Sequence, residues 1–541
     1  MSGIDKLSVD GLSVPPEERT PLVERLLDVI AGLERQVEEL TAEIQRLKGL
    51  PEKPKRGPSS LEQPSPPGAG KRRRRRGKRP GSQKRMKTQA LTIDEVVTLE
   101  PESLPDGAEL HDYRTFTVQD LVMKPHVVRY RRARYKVPGT AGLVSGCLPD
   151  SVRKHGHFGP GLRAYVLAQH YQNHVTEPLI LEDLRDHGFD ISAGEVHALL
   201  TEGHDAFHAE KDGLLPAARE VSSVFHTDDT PARHRGKNAH THHIGNDLFT
   251  SFTTTGSKSR INFLEILRAP HADYVLREES LVCLESSGVS DRVIARLTAA
   301  LGDEPALVFA DEAAWQRQLA AWEVPASAGK HVTEAALIGS LIHHDLYPGG
   351  VLMSDDAGQF QVLALTNALC WIHAVRHVEE LIPRTESQRR AQERALTAIW
   401  KYYRRLKAYR ESPTRQRRAG LERDFETLFG SKTGWPELNA VRERIRDKRE
   451  SLLLVLAHPE IPLTNNLSER DIREYAKKRK ISAGTRNDLG RRCRDTFLSL
   501  KKTCRKLGLS FCRYLRDRIQ GLKAILPLPE IIRATAQQDA H

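Results

Sequence analysis

The sequence predicts an α/β protein with a mixed sheet core, a helical insertion, a largely helical carboxyl-terminal part and an amino-terminal coiled coil. Three observations support this class: a heptad repeat from Val23 to Lys48, strand-like apolar runs that lead into acidic pairs, and nearly continuous helical periodicity beyond Leu369. With 541 residues, the chain is long enough for several domains, each with its own core.

The amino-terminal heptad predicts a dimerisation helix over residues 1–50. Its a positions are Val23, Ile30, Val37 and Ile44, and its d positions are Leu26, Leu33, Leu40 and Leu47. β-Branched residues at a with leucine at d favour a parallel two-stranded coiled coil, so we expect self-association through this helix. The alternative is an amphipathic helix packed on its own domain, but Pro51, Pro54 and Pro58 separate the helix from the rest of the chain.

Three further regions precede the sheet core. Residues 51–90 are rich in Pro, Gly, Ser and basic residues, which predicts a disordered basic linker. Within residues 91–150, the alternation from Leu110 to Pro138 predicts a β-hairpin. Residues 151–220 are predicted to be helical and DNA-binding-like, since LEDLRDHGFDISAGEVHALL has a helix, turn, helix rhythm with Ser192 and Glu195 as a capping box.

A domain with a sheet core is predicted over residues 221–480, followed by a basic helical tail over 481–541. It begins with three expected strands, VSSVFHTDD, AHTHHIGNDLFTSFTTT and SRINFLEILR. A mostly helical stretch from about 275 to 345 precedes another strand, GGVLMS. Beyond it, a Lys/Arg-rich antiparallel helix pair is expected around Ala391 to Leu456.

The net charge of +12 is concentrated in two segments. Residues 53–87 contain fourteen Lys or Arg and one acid, Glu62, and residues 470–523 contain eighteen Lys or Arg and five acids. This asymmetry is typical of a polyanion binder, and the alternative is a solvated charge run that maintains solubility.

The cysteine pattern bears on the expected cofactor, and the hydropathy bears on the expected compartment. The six cysteines form no C-x-x-C pair, which argues against a disulfide scaffold or a zinc ribbon. No signal peptide and no run of eighteen apolar residues is present, so we expect a cytoplasmic protein without a membrane partner.

Three acids form the candidate metal site. Asp228 and Asp355 each follow an apolar strand-like run, and side chains at the carboxyl end of a strand face the crevice where ligands collect. Two neighbouring carboxylates repel unless a proton or cation compensates, and aspartate oxygens are preferred ligands of Mg²⁺ or Mn²⁺. Glu469 is expected in the first turn of a helix that starts near Asn465. A single acid of this kind is more often a cap or turn residue, but three in this order favour a metal site.

A zinc site is an alternative at CWIHAVRH, where Cys370, His373 and His377 have ligand-like spacing. Because no fourth ligand is evident, we expect His373 and Arg376 to approach the active site or the DNA, and Cys370 and Trp371 to pack in the core. Zinc is therefore not expected.

The basic residues beyond Glu469 are predicted to bind the DNA backbone. They surround the turn SAGTRNDLGRR, whose Gly484 and Gly490 are expected to let backbone amides approach phosphates. The predicted DNA-binding residues are Arg473, Lys477, Lys480, Arg486, Arg491 and Arg492.

The chain resembles transposases of the insertion-sequence 66 family, from the zipper to the tail. The matching stretches are FHTDDTPARH, SRINFLEILRA, GGVLMSDDAGQF, LCWIHAVRHVEELIP and, most diagnostic, PLTNNLSERDIREYAKKRKISAGTRNDLGRRCRDTFLSLKKTCRKLGLSFCRYLRDRI. The resemblance implies a ribonuclease-H-like DDE core in which Asp228, Asp355 and Glu469 are the catalytic, metal-binding triad. Four residues are expected to surround the triad: Asp229, Asp356, His373 and Arg376.

Two departures from the family pattern are visible. The family usually has Glu after the first catalytic Asp, where this chain has Asp229. The family also commonly has a cysteine-rich zinc element before the core, whereas residues 91–150 contain Cys147 alone, which indicates a degenerate element.

The resemblance implies a DNA transposase of a bacterial insertion sequence. It would bind terminal inverted repeats and target DNA, use Mg²⁺ or Mn²⁺ and associate with the nucleoid. Two alternatives stay open: a non-enzymatic dimeric DNA-binding regulator, and a ribonuclease-H-like nuclease without strand transfer. The sequence also leaves open whether helper proteins take part.

Overall fold

The computed structural model describes residues 91–103, 108–138, 142–149, 152 and 157–539. The chain divides into two units, one ending at Asp120 and the other beginning at Leu121. The described residues of the first unit contain no helix or strand. The predicted coiled coil over 1–50 and basic linker over 51–90 lie outside the described residues.

The hairpin predicted from Leu110 to Pro138 is wrong in position. Strand β1, Arg134–Lys136, pairs antiparallel with β2, Leu143–Ser145, and the residues from 110 to 133 form no regular element. Alternation predicts a strand when one face is buried, but the apolar side chains here remain exposed, as Phe116 does at 92%.

A helical layer precedes the sheet. The Ser192 capping box is confirmed, because the Ser192 hydroxyl accepts from the Glu195 N–H at 3.2 Å and the Glu195 carboxylate accepts from the Ser192 N–H at 2.8 Å. The elements are α1 (Pro160–Leu167), a π-helical turn (Ala168–Gln172), α2 (Glu177–Asp186), α3 (Ala193–Thr201), α4 (Asp205–Asp212) and α5 (Leu214–Val221).

The centre of the second unit is a mixed five-stranded sheet, which confirms the mixed α/β class. Its strands are β3 (Val224–His234), β4 (Lys237–Gly245), β5 (Thr250–Thr255), β8 (Val351–Ser354) and β9 (Thr366–Leu369). Their order across the sheet is β5-β4-β3-β8-β9. Along this order β5, β4 and β3 pair antiparallel, whereas β8 runs parallel to β3 and β9 runs parallel to β8.

Two strand predictions near the start of this sheet differ from the structure. SRINFLEILR is predicted as a strand but forms helix α6, Arg260–Arg268, because Phe263, Leu264 and Leu267 recur at helical spacing and are buried. AHTHHIGNDLFTSFTTT forms two strands instead of one.

Two insertions interrupt the sheet core. The first lies between β5 and β8, and it is largely helical as predicted. It contains α6, β6 (Tyr274–Leu276), α7 (Glu278–Glu285), α8 (Asp291–Leu301), β7 (Leu307–Phe309), α9 (Glu312–Ala321) and α10 (Ala326–His343). The second follows α11 (Trp371–Glu379) and contains α12 (Glu386–Glu411), α13 (Arg415–Gly430), α14 (Pro436–Asp447) and α15 (Arg449–Leu452).

The carboxyl-terminal helices complete the core, and one of them closes the edge of the sheet. They are α16 (Asn466–Ser482), α17 (Asp488–Lys506), α18 (Phe511–Gln520) and α19 (Leu528–Asp539). Along β5, the N–H groups of residues 250, 252 and 254 donate to side-chain oxygens of Thr503, Ser499 and Asp495 on α17, at 2.8 to 3.1 Å. Helix α17 therefore pairs the edge strand that would otherwise be open to another chain. Among the described helices, none has the length and apolarity needed to cross a membrane.

Candidate active site

Asp228 and Asp355 occupy matching positions on neighbouring strands. In the parallel pairing of β3 with β8, Val224 lies opposite Val351, and each aspartate follows four residues later. The same even spacing places both carboxylates on one face of the sheet. Strand β8 ends at Ser354, just before Asp355, as expected, but β3 continues past Asp228 to His234 in a hairpin with β4. The crevice therefore opens where β8 ends and not where β3 ends.

Burial and the neighbouring acids both act on the Asp228 carboxyl group. Burial raises the pKa of Asp228 to about 7, and the negative charges of Asp355, Asp229 and Glu469 add to the rise. The Asp229 N–H opposes it by donating to the Asp228 carboxylate at 2.7 Å. A carboxyl group with this pKa takes up a proton or a cation near neutral pH.

Glu469 lies near the start of helix α16. Asn465 precedes the first residue of the helix, and the Glu469 N–H donates to the Asn465 carbonyl at 3.2 Å, so Glu469 lies in the first turn as predicted. Its negative charge adds to the rise in the pKa of Asp228, after burial and the charges of Asp355 and Asp229.

Asn465 fixes this helix to the central strand, a role that the sequence did not reveal. Its side-chain amide donates to the Thr227 carbonyl at 2.7 Å, and its amide oxygen lies 3.0 Å from His226 Nδ1. Asn465 is fully buried, and its own N–H donates to Cys370 Sγ at 3.2 Å. Its side chain therefore makes no cap hydrogen bond, and instead holds the start of α16 next to Asp228.

Two cations and a histidine flank Glu469. Arg376 on α11 and Arg473 on α16 each contact the Glu469 carboxylate at 3.5 Å. Arg376 also donates to His373 Nε2 at 3.0 Å. Burial and the Arg376 charge lower the pKa of His373, while Asp355 and Glu469 oppose that shift, so the ring lies near both acids. The His373 Nδ1 is buried and has no hydrogen-bond partner among the described residues.

The second aspartate of each acidic pair has its own partner. Asp229 accepts from the Gln359 side chain at 2.6 Å. Asp356 forms an ion pair with Lys448, which follows α14 in the second insertion. The backbone of Asp356 has a φ of 80°, a left-handed conformation that is uncommon for a residue with a side chain. Both residues therefore adjoin Asp228 and Asp355 in sequence while contacting other groups.

The donor set fits a hard divalent cation. Asp228, Asp355 and Glu469 offer carboxylate oxygens, the ligands that Mg²⁺ and Mn²⁺ prefer, and burial together with the charges of the other two acids raises the pKa of Asp228. The three carboxylates do not each place an oxygen within 4.8 Å of the other two. The three carboxylates therefore do not converge on a single ion in this structure.

The zinc alternative at CWIHAVRH is not supported by the geometry. Cys370 and Trp371 are both 1% exposed and pack in the core, as predicted. Burial raises the pKa of the Cys370 thiol, which disfavours the thiolate that zinc requires. The donor atoms of Cys370, His373 and His377 are not all within 4.8 Å of one another.

The predicted DNA-binding residues separate into two groups. Arg473, Lys477, Lys480 and Arg486 have exposed side chains along α16 and the following turn. Arg473 also contacts Glu469 on its own helix, whereas Arg491 and Arg492 contact residues of other elements. Arg491 donates to the Thr254 carbonyl at 3.0 Å, and Arg492 lies 3.8 Å from Asp212.

The glycines of the turn have a different role from the one predicted. A Cβ on Gly484 would lie 2.6 Å from the Arg233 carbonyl oxygen, because residues 484–485 pack against the end of β3. The Thr485 N–H donates to that same carbonyl at 2.9 Å, so it is not free for a phosphate. Gly490 lies inside α17, where its N–H donates to the Asn487 side chain at 2.7 Å.

Many cations of the basic segment are structural. Lys478 and Lys501 are both fully buried. Lys478 donates to the His170 carbonyl at 2.7 Å, and burial lowers its pKa to about 7. Lys501 pairs with Glu474, and burial lowers its pKa to about 8. The net charge of residues 470–523 therefore overstates the charge that this segment presents to a polyanion.

The helix, turn, helix element is present as α2 and α3, but its second helix has no lysine or arginine. The exposed side chains of α3 include Glu195 and His197, and His197 lies 3.0 Å from Glu177. Its buried residues belong to the main hydrophobic core. This surface lacks the cations by which such helices usually bind DNA.

The fold and the site define a class: a mixed α/β protein with three acidic residues grouped where its parallel strands meet helix α16. The family model described as Transposase IS66 family matches residues 306–492, a range that includes Asp355 and Glu469 but not Asp228. The uncharacterized protein y4jO of Sinorhizobium fredii (strain NBRC 101917 / NGR234) is 40% identical over 328 residues, which are 60% of this chain and 100% of the relative. The chain belongs to the IS66 transposase family. Membership supports a transposase-type function with DNA as the partner.

Proposed function

We propose that this chain is a DNA transposase that cleaves and rejoins DNA, with Asp228, Asp355 and Glu469 as its catalytic residues. The observation that carries the proposal is the raised pKa of Asp228, caused by burial and by the charges of Asp355 and Glu469. Such a group of carboxylates is unfavourable in a structural role, because it stabilises the fold only when a proton or cation is bound.

The sheet supports a ribonuclease-H-like core over residues 221–480. Three antiparallel strands are followed by two parallel ones, and the acids come from β3, from the end of β8 and from α16. The two insertions are additional elements, one between β5 and β8 and one after α11. In the same layout, residues 1–50 mediate self-association and residues 481–541 form the carboxyl-terminal tail.

The three carboxylates would hold Mg²⁺ or Mn²⁺. When bound, such ions activate an attacking oxygen and stabilise the leaving oxygen in phosphoryl transfer. The side chains of Arg376 and Arg473 hold Glu469 in position before metal and DNA arrive. Burial and the Arg376 charge lower the pKa of His373, which favours the neutral ring beside the acids.

The proposed reaction has two balanced steps. Water first attacks a phosphodiester at the end of the element, which breaks the P–O3′ bond and leaves a 3′-OH and a 5′-phosphate. That 3′-OH then attacks a phosphodiester of the target, forms a new P–O bond and releases a target 3′-OH. The exposed residues Arg473, Lys477, Lys480 and Arg486 bind the backbone beside Glu469, so the phosphate is positioned without its sequence being read.

The proposal is tested with the purified full chain, Mg²⁺ and a labelled duplex that contains the DNA flanking the gene. We expect metal-dependent nicking at the element end and products joined to a target plasmid. Nicked products without joined ones would indicate a nuclease, and specific binding without any cut would indicate a DNA-binding regulator. Either result would overturn the proposal.

A further inference from the structure

A second group of metal-ligand side chains lies outside the acidic triad. His271, Asp273 and His344 each offer one donor atom, and these atoms all lie within 4.8 Å of one another. Among the described residues, no other group of three or more His, Cys, Asp or Glu meets this condition. His271 and Asp273 lie between α6 and β6, and His344 follows the last residue of α10.

The group is held in place by its neighbours. His344 Nε2 lies 2.7 Å from one oxygen of Asp273, and the Ser340 hydroxyl donates to the other oxygen at 2.8 Å. Ser340 and His344 are one turn apart at the end of α10, so a single helix face orients both the carboxylate and the imidazole. Supporting hydrogen bonds of this kind commonly orient the ligands of metal sites.

The position of His271 favours a metal site over an ordinary hydrogen bond between two side chains. Its ring stacks on that of His344, with centroids 3.6 Å apart and planes at 17°. Within the described residues, the His271 side chain makes no hydrogen bond, although it lies next to a carboxylate and a second imidazole. A hydrogen bond between Asp273 and His344 explains two members of the group and leaves the third without a role.

We propose that His271, Asp273 and His344 bind a divalent transition metal such as Zn²⁺. Two imidazole nitrogens and one carboxylate oxygen are a ligand set that Zn²⁺ accepts and Mg²⁺ disfavours. All three side chains are partly exposed, so water fills the remaining coordination position. This site is separate from the oxygen-only site at Asp228, and it does not depend on the proposed transposase activity.

Two arginines near the group are expected to limit its affinity for a metal ion. Arg219 donates to the carbonyls of Leu267 and Ala269, and Arg268 donates to the carbonyl of Asp273. Their positive charges oppose a cation, while their guanidinium groups fix the backbone that carries the ligands. We therefore expect a rigid site of moderate affinity.

A metal ion bound here would stabilise the fold of the core. His344 is joined to β8 by the short connection 345–350, and β8 leads directly to Asp355. A metal that links residues 271 and 273 to the end of α10 would restrain the start of that connection. Its expected effect is a higher melting temperature of the full chain.

The experiment is a calorimetric titration of Zn²⁺ into the chelator-treated full chain, with excess Mg²⁺ present to occupy the oxygen ligands. We expect the wild type to bind Zn²⁺ at a site that H271A and H344A weaken at least about tenfold. His343→Ala is the matched control, because His343 is the adjacent histidine on the same helix and is not a member of the group. It should bind as the wild type does.

Thermal unfolding gives a second measurement. Zn²⁺ should raise the melting temperature of the wild type and of His343→Ala, but not that of His344→Gln, which can still hydrogen-bond to Asp273. His344→Gln also serves if the alanine variants do not fold. Equal Zn²⁺ binding by all variants, or no binding by the wild type at micromolar Zn²⁺, would overturn the proposal.

Discussion

Asp228 on β3 and Asp355 after β8 lie at matching register positions of two neighbouring parallel strands. Burial, together with the negative charge of Asp355, raises the pKa of Asp228 to about 7. The pair therefore costs stability whenever both groups are ionised and no cation is bound. The effect of a substitution at this site can therefore be measured through folding stability as well as through catalysis.

The raised pKa predicts a characteristic dependence of stability on pH. The ordinary value of an aspartate is 3.8, so the unfolded chain ionises first and the folded chain loses stability as pH rises from about 4 to about 7. Asp228→Asn should remove this loss and be more stable than the wild type at about pH 8 in chelator. The difference should be on the order of 4 kcal/mol at most, from three pKa units.

Urea unfolding at about pH 5 and about pH 8 measures the effect, and Mg²⁺ should restore the wild type at the higher pH. Asp303→Asn is a suitable control, because Asp303 is an exposed acid outside the site. If Asp228→Asn and the wild type lost stability equally over this range, the charge cluster would not be the cause.

Asn465→Ala should disturb both the fold and the reaction. It leaves the Thr227 carbonyl and His226 without their partner in a buried environment, at a cost of about 1–3 kcal/mol. It should also lower the cleavage rate, because Glu469 one turn away loses its fixed position. Denaturation and single-turnover cleavage are measured on the same preparation. Normal cleavage by a destabilised variant would show that Asn465 serves folding alone.

Exposed and buried cations of the basic segment should behave differently in DNA binding. Neutralising Lys477 and Arg486 together should weaken binding to every sequence alike. It should also flatten the slope of log K against log[salt] by up to about 2, or about 0.9 per lost phosphate contact. An unchanged slope, or a loss confined to one sequence, would contradict a backbone-binding role.

Lys501→Met should change the stability of the fold and not the salt dependence of DNA binding. This lysine is buried and pairs with Glu474, so its removal should cost about 3–5 kcal/mol of stability and leave the salt slope unchanged. Unfolding midpoints and fluorescence titrations at several salt concentrations measure the two effects. A flattened slope in a folded Lys501→Met chain would show that the buried cations also contribute to the DNA contact.

The turn after α16 offers a test of packing. Gly484→Ala should be destabilising, because the added methyl group would lie 2.6 Å from the Arg233 carbonyl oxygen and separate the turn from β3. Gly256→Ala is the matched control, since nothing lies within 4 Å of its added methyl group. Similar melting temperatures for the two variants would mean that the turn moves freely away from the strand.

The sequence predicted the acidic strands and the helix that carries Glu469 because these features are local. Apolar runs identify strands such as Val351–Ser354 from a few residues. The bonds of Asn465 to Thr227 and His226 were not predictable, because they join residues more than 200 positions apart. Neither the composition nor the spacing around Asn465 distinguishes this role from that of a helix cap.

The errors have a related physical origin. The segment from 110 to 133 alternates like a strand, but strand formation depends on a partner surface that alternation does not specify. The net charge of residues 470–523 likewise does not show which cations are accessible, since Lys478 is buried against the His170 carbonyl and Lys501 against Glu474. A charge count reflects composition, whereas accessibility is decided by tertiary packing.

The most direct test of the proposed active site is a cleavage and strand-transfer assay on Asp355→Asn, with Asp303→Asn as the control. We predict that Asp355→Asn folds and binds the element end as the wild type does. We also predict a loss of both nicked and joined products of at least about a thousandfold, because a metal ligand is removed. Cleavage by Asp355→Asn at the wild-type rate would contradict the assignment of the active site.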